Sequence, residues 1–512
     1  MHDTTPVLIG AGQFTWRGEA GEAPTPLKLI EIAAHAAGAD AGLGGGALAG
    51  LDAIAVVGFT IDAEGALSRL QVPRLTNPPV SLAKALGADP RWSVYTGMGG
   101  DRPQAVINLL CERIAAGETN LALAAGAEFL GSLMVRLAKG APLDGYGDHE
   151  GEPPRRFGEA RAGTTAREAA HGLALPVNTY PLFENALRAR DGRGLADHQR
   201  RLGELFSPFT EVAAANPHAW FRKVRAPEEL IAVTADNRMV GFPYPKYLNA
   251  IMRVDQSAAV LIASVKAARE LGVPQDRWVF PHGCADAADL WYPLERQNYH
   301  SSPAMRLTGA RALEMAGIGL ADLDFIDLYS CFPSAVQIGA EELGLALDDP
   351  RGLTVTGGLP YFGGPGNNYA MHSVATLMER LRARPGSWGM ATANGWYLTK
   401  QSVGVYSTTP PKAPFARQDP EVIQRQIDAL DHPAIVDRPR GCATVETYTV
   451  VHARAGYRMG IVIGRDDQGR RFVANTPADE ATLRAMEASE QIGRTGQVGR
   501  APDGERNLFV PG

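Results

Sequence analysis

Apolar positions in the first 130 residues come in short blocks of two kinds. "PVLIGAG" and "LDAIAVVGF" are continuous apolar runs and predict buried strands. "PLKLIEIAAHAAGADAG" and "SLAKALG" carry apolar residues at helical spacing. "RWSVYTGMGGDRPQAVINLLCERIAAGETNLALAAGAEF" then predicts strand, glycine turn, long helix and strand. Strands alternating with helices imply a parallel sheet with helices on both faces. From about Leu130 to Val240 the pattern breaks. "LDGYGDHEGEPPRRFG" and "ANPHAWFRKVRAPEEL" are polar, charged and proline-rich, and predict a loop-and-helix insertion over one end of the sheet.

The alternation resumes with the strand "RVDQSAAVLIAS". "RWVFPHGCAD" (strand and loop), "PAMRLTGARALEMAGIG" (helix), "LDFIDLYSCF" (strand) and "PSAVQIGAEELG" (helix) follow. The helix "HSVATLMERLRAR" and the strand "WGMATANG" close this part, whose order resembles a repeat of the first. After the proline-rich "STTPPKAPFARQDP", the segments "CATVETYTVVHA", "YRMGIVIGRD" and "RRFVANTP" alternate on a period of two. They predict a small antiparallel β module with a hairpin at "RDDQGR" and a loosely ordered tail, "GQVGRAPDGERNLFVPG". The expected organisation is a first α/β half at 1–265 with an insertion at 130–240, a second half at 266–410, and a β domain at 411–512.

Charge and cysteine content narrow the function. The 512 residues carry a formal net charge of −6, which argues against a general nucleic-acid binder. Cys111, Cys284, Cys331 and Cys442 are scattered without a CxxC pair, so neither a metal cluster nor a disulfide framework is expected. No metal spacing such as HExxH occurs. The N-terminus lacks a basic, apolar leader, and no apolar run is long enough to span a membrane, so a cytoplasmic protein is expected.

Several stretches carry candidate chemistry. "GAGQFT" has Thr15 in place of the third glycine of a dinucleotide turn, so no nucleotide cofactor is expected. "TGMGGD" opens a long helix, whose free N–H groups suit an anion or a developing oxyanion, although a plain capped helix start reads the same way. "IDLYSCFPSA" places Tyr329, Ser330 and Cys331 at the end of a buried strand, the usual ligand-binding end of such sheets. Tyr329 could be an acid or base there, and Cys331 a nucleophile or simply core. "GGLPYFGGPGNNYAMHS" is a glycine loop between strand and helix. It offers Gly364, Asn367 and Asn368 as pocket-forming residues, and His372 as a proton carrier or a cap.

Together these stretches resemble the thiolase superfamily over about Pro6 to Ser407, closest to its sterol-carrier-protein-2-thiolase branch. "YTGMGGDRPQAVINLLCERIAAGETNLALAAGAEF" resembles the nucleophile segment, a Cys-x-Ser-Gly turn with its helix and Ala-Gly-Gly-x-Glu strand. "YPKYLNAIMRVDQSAAVLIAS" resembles the connecting strand, "LYSCF" the His-Asp-Cys-Phe motif, "GGLPYFGGPGNN" the Gly-His-Pro loop and "GMATANGWYLTKQSVGVYS" the final Cys-x-Gly strand. The resemblance implies a layered thiolase-like fold, with the C-terminal module resembling an OB-like domain. By the same correspondence Gly99 stands at the nucleophilic cysteine, Gly364 at the loop histidine, Asn394 at the acid/base cysteine and Tyr329 at the motif histidine. Thiolase-like aldolases that cleave acyl-CoA thioesters also lack the cysteines and use tyrosines, one at the place of Tyr329. Tyr361 and Tyr369 lie near the place of the other.

The closest likeness is to type 1 thiolase-like proteins within the acetyl-CoA acetyltransferase family. It implies lipid-type chemistry on a coenzyme A thioester as substrate, with no separate cofactor. The leading expectation is an enzyme that makes or breaks a C–C bond next to a thioester without a cysteine acyl-enzyme. In it Gly99, Gly100, Gly364, Asn367 and Asn368 shape the pocket and hold the enolate oxygen. Tyr329 moves the proton, with His372 or Cys331 as the second group. Two rivals are a conventional acetyl-CoA C-acetyltransferase using Cys331, and a catalytically silent acyl-CoA-binding protein. Thiolases hold coenzyme A with their loop domain, which makes Arg222 and Lys223 of "FRKVR" candidate phosphate contacts beside the plainer reading of a solvated charge run. The resemblance leaves a homodimer through sheet edges open, and equally a monomer whose fused module covers such an edge.

Overall fold

The computed structural model describes residues 1–62 and 67–512. In chain order its strands are β1 (Pro6–Trp16), β2 (Ala53–Val56), β3 (Trp92–Thr96), β4 (Leu121–Phe129), β5 (Arg156–Phe157), β6 (Met239–Gly241), β7 (Tyr244–Pro245), β8 (Asp255–Ser264) and β9 (Phe280–Ala288). They continue with β10 (Phe325–Asp327), β11 (Trp388–Gly395), β12 (Lys400–Ser407), β13 (Gly441–Ala453), β14 (Gly456–Asp466), β15 (Arg471–Asn475), β16 (Thr495–Arg500) and β17 (Asn507–Pro511).

Two sheets form the body, ordered β1-β8-β4-β2-β3-β5 and β10-β11-β12-β9. The expected parallel sheet is present in part. β4, β2, β3 and β5 run parallel, but β8 is antiparallel to both β4 and β1. In the second sheet only the β10–β11 pair is parallel. The short connection from Gly395 to Lys400 makes β11 and β12 an antiparallel pair, whereas β8 returns antiparallel to β4 only after the whole insertion. The helices Arg102–Ala115 and Tyr369–Ala383 lie between the sheets. Val106, Leu110, Val374 and Leu377 join Ala124, Val260 and Ala391 in one buried layer. The helix Pro26–Asp40 covers the outer face of the first sheet through Leu29, Ile30, Ala33 and Ala37. Both central helices are buried over most of their length, including polar residues such as Gln104, Asn108, His372 and Ser373.

The predicted strand "LDFIDLYSCF" is shorter than expected. β10 ends at Asp327, and Tyr329–Cys331 continue as irregular backbone before the helix Pro333–Leu343. The insertion is helical over Pro176–Arg190 and Leu195–Ala215. The edge of β3 is covered by β5 from the insertion, through Tyr95↔Arg156 and Thr96↔Phe157, and not by the C-terminal module.

That module is a closed barrel in the order β13-β14-β15-β17-β16, closed by β16 pairing with β13. The predicted "loosely ordered" tail is corrected: it supplies β16 and β17, which pair over Gly496–Arg500 and Asn507–Pro511. The barrel is also not wholly antiparallel, because β15 and β17 meet in parallel. It is tied to the body by buried polar groups. Thr447 Oγ1 donates to Leu182 O at 2.6 Å, and Asn185 Nδ2 donates to Tyr448 O at 2.9 Å.

A histidine makes one of these ties sensitive to pH. Asn507 N–H donates to His171 Nε2 at 2.9 Å, while His171 Nδ1 donates to Arg167 O at 2.8 Å. The bond from Asn507 needs the neutral ring, and burial lowers its pKa below the ordinary 6.5 although the bond to Arg167 O opposes this. As pH falls through 6.5 the unfolded ring takes up its proton before the folded one. The unfolded state then binds more protons and stability declines toward the folded pKa. The barrel's denaturation midpoint is therefore expected to drop as pH falls below 6.5. His171→Gln, which cannot titrate, is expected to flatten that part of the curve.

Candidate functional site

The N-termini of the two central helices converge. Gly99–Asp101 leads into the helix Arg102–Ala115, and Asn367 and Asn368 lead into the helix Tyr369–Ala383. One side chain joins them: Asn367 Oδ1 accepts from Gly99 N–H at 2.9 Å, and its Nδ2 donates to Gly58 O at 2.7 Å. Asn368 Nδ2 donates to Gly126 O at 2.8 Å. The positive ends of two helix dipoles therefore face one small volume.

The glycine loop spends its own donors. Gly364 N–H goes to Ile251 O at 2.8 Å, Gly366 N–H to Gly364 O, and Asn368 N–H to Pro365 O. These amides thus brace the loop itself and its contact with Ile251, while the Asn367 side chain reaches the turn at Gly99. Gly100 is also buried, and its N–H, like that of Gly363, donates to no protein group among the described residues. Under this loop Glu128 accepts from Thr60 N–H at 2.7 Å, and burial raises its carboxyl to about 8.

Gly100 also touches the phenol. A Cβ on Gly100 would overlap Tyr329 Oη and stand 2.6 Å from Asn394 O. Tyr329 is 7% exposed, and its ring meets Tyr369 edge-on at 5.4 Å. Burial, with Cys331, Tyr369 and Asp101 nearby, holds the phenol well above its ordinary value of 10, so it rests protonated. Cys331 keeps the same 7% exposure. Burial pushes its thiol up to about 12, and Asn394 Nδ2 lies 4.0 Å from its sulfur. Asn394 Nδ2 also donates to Tyr180 Oη at 2.9 Å, and that hydroxyl donates to Trp396 O. The insertion thus orients Asn394 through Tyr180, whose ring stacks on Phe332 at 4.4 Å.

The structure brings together Tyr329, Cys331, Asn394, Gly99, Gly100 and Asn367. Asn368 and Gly364 stand behind them, Gly364 against Ile251, whose neighbour Ala250 donates to Cys331 O at 3.0 Å. His372 sits in the first turn of its helix rather than opening it. It is fully buried, its Nδ1 donates to Gln13 Oε1 at 2.9 Å, and burial lowers it to about 3. Arg222 and Lys223 are exposed on the insertion. Phe221 beside them pairs with Tyr361 O, while Lys223 is bound to Glu229 at 3.0 Å.

Two residues escaped the sequence reading. Asp327 Oδ2 accepts from Val355 N–H at 2.8 Å and its Oδ1 accepts from Ser373 at 2.9 Å, which fixes the start of the glycine loop. An acid in an otherwise apolar strand was the available signal. Lys400 lies against Gly99, donates to Met98 O and stands 3.3 Å from Asp101 Oδ1. Nothing local in "YLTKQS" marks it.

Comparison with known proteins fits this geometry. A 3-ketoacyl-CoA thiolase of Citrobacter koseri is 28% identical over 160 residues, 28% of this chain and 35% of that protein. The chain therefore spans about a third of the length of that curated relative. The solved Ltp2-ChsH2(DUF35) aldolase shares the fold at 18% identity, with a TM-score of 0.58 over 79% of this chain and 98% of that one. The family model of the thiolase-like protein type 1 additional C-terminal domain matches residues 422–505. A monomeric SCP2-thiolase-like protein type 1 from Mycobacterium smegmatis is 37% identical, covers 100% of this chain and 99% of its own, and superposes with a TM-score of 0.85. By its fold, its C-terminal domain and this end-to-end likeness, the chain belongs to the SCP2-thiolase-like proteins of type 1.

Proposed function

We propose that this protein acts on acyl-CoA thioesters, making or breaking the C–C bond next to the thioester through an enolate and without a cysteine acyl-enzyme. One observation carries the reading: a protonated, buried phenol lies against Gly100, whose own N–H is unpaired. The thioester oxygen would take the Gly100 N–H, an interaction typically worth about 3 kcal/mol when preorganised. Tyr329 would then donate its proton to the alkoxide or enolate that forms beside it. Cys331 suits a conventional acetyltransferase poorly, because a thiol held near 12 supplies little thiolate at neutral pH. The aldolase among the fold neighbours adds an analogy at the level of the fold. His372, kept neutral and turned toward Gln13, is left out of the proton path.

The barrel's strand order, with the helix Glu480–Ala488 between β15 and β16, supports an OB-like reading. The cover that β5 gives to β3, and the monomeric Mycobacterium smegmatis relative, support a monomer.

Tyr329→Phe is expected to lower turnover about 100-fold on a panel of 3-hydroxyacyl- and 3-oxoacyl-CoAs, the usual effect of losing a positioned proton donor. Coenzyme A affinity by calorimetry should hardly change. Unchanged turnover in the variant would remove Tyr329 from the mechanism. Coenzyme A affinity with no turnover in the native chain would favour the binding-protein reading.

A further inference from the structure

We propose that Lys400 is an amine that captures the keto carbon of a β-dicarbonyl substrate, such as a 3-oxoacyl thioester, as an imine. The proposal takes its substrate class from the acyl-CoA reading above; the reactivity of the amine is argued independently.

Geometry comes first. Lys400 opens β12 and is nearly buried, with a side chain 5% exposed. Its Nζ fills the space over Gly99: a Cβ built on that glycine would overlap Nζ and stand 2.9 Å from Cε. Nζ donates to Met98 O and has Asp101 Oδ1 at 3.3 Å, which leaves at least one of its three hydrogens uncommitted. Met98, whose carbonyl it bonds, and Trp396, whose ring centroid lies 5.9 Å from Nζ, are only half-buried. Tyr329 Oη lies one residue along the same turn, against Gly100.

Burial, more than the charges around it, favours the neutral amine. Asp101 serves two cations, Lys400 and Arg102, the latter at 3.4 Å, and Glu159 adds a weaker attraction. Burial is the largest effect and Arg102 adds to it, so Lys400 is held down to about 8 although Asp101 and Glu159 oppose this. A desolvated lysine beside a second cation is the usual setting for imine chemistry.

The step balances. The Nζ lone pair forms a C–N bond to the keto carbon while the C=O π pair moves to oxygen. The nitrogen lone pair then expels that oxygen, leaving C=N. Water carries away the oxygen and the two amine hydrogens, with Tyr329 placed to pass a proton to it.

The test uses the full chain with acetylacetone, a β-dicarbonyl free of coenzyme A, followed by absorbance of the enaminone and peptide mass mapping. Lys400 is expected to be modified at least about tenfold faster than the exposed Lys28 and Lys84 at pH 8, with a midpoint near 8. Lys400→Arg and Lys400→Met should both lack the adduct. In parallel, acetoacetyl-CoA with borohydride should leave a reduced adduct on Lys400. Modification of Lys400 no faster than that of Lys28 and Lys84 overturns the proposal. If acetoacetyl-CoA binds by calorimetry while neither reagent marks Lys400, the amine falls and the acyl-CoA reading stands. If acetylacetone marks Lys400 and acetoacetyl-CoA neither binds nor marks it, the amine stands and the acyl-CoA reading falls.

Discussion

Arg471→Met is expected to destabilise the barrel and its attachment by about 3–5 kcal/mol, the range for breaking one side of a buried ion pair. Arg471 lies on β15 with no exposure. Its guanidinium holds Glu446 at 2.8 and 2.5 Å and donates to Leu294 O at 2.9 Å, to Arg296 O and to Gln297 O at 3.3 Å, with the Tyr299 ring 4.9 Å away. Methionine keeps an apolar stem but leaves Glu446 with Arg465 alone and three carbonyls without this donor, and the desolvated carbonyls are the main cost. All seven tryptophans lie at or before Trp396, outside the barrel. Tryptophan fluorescence therefore follows the body, and hydrogen exchange over residues 441–511 follows the barrel. The barrel's protection should fall in Arg471→Met while the fluorescence midpoint moves less. Native-like exchange in the variant would mean that the ties at Thr447 and Asn185 suffice to hold the barrel.

That attachment bears on the site through a short chain of contacts. The helix Pro176–Arg190 receives the barrel on one side, through Leu182 O and Asn185, and presents Tyr180 to Asn394 on the other. A loosened barrel removes support from the element that orients Asn394. The fused module is thus part of the scaffold of the insertion, a physical reason for carrying it in the same chain.

The body's strands were legible because buried strands write themselves as apolar runs: β1, β2, β4 and β8 each coincide with one. β16 and β17 were not. "TGQVGR" and "NLFVP" carry too little alternation, and pairing with β13 and with each other specifies them instead. The convergence of Tyr329, Gly99 and Asn394 followed from motif order. Lys400 did not, because its meaning lies in Gly99, some three hundred residues upstream. Asp327 is similar: its carboxylate acts on residues 354–356 and on the helix Tyr369–Ala383, and no local pattern encodes that. Sequence reading finds elements that satisfy themselves locally and misses groups whose partner arrives by folding.

Gly99→Cys, which would put a cysteine where the thiolase resemblance expects the nucleophile, is expected to cost about 2–6 kcal/mol. Gly99 has φ +141°, a conformation that L side chains rarely adopt, and holding another residue there costs about 1–3 kcal/mol. The new Cβ would also overlap Asp101 Oδ1 and Lys400 Nζ, and overpacking of this kind adds about 1–3 kcal/mol. The two causes separate in a double-mutant cycle. Lys400→Ala should recover the lysine overlap and couple to Gly99→Cys by about 1 kcal/mol or more, leaving the backbone strain and the Asp101 overlap in place. Denaturant unfolding of the four proteins of the cycle measures this. Additive effects would mean that Lys400 moves aside freely and that glycine is needed at 99 for its backbone alone. Coupling would mean that lysine at 400 and cysteine at 99 exclude each other, so that glycine at 99 is also what makes room for the buried amine.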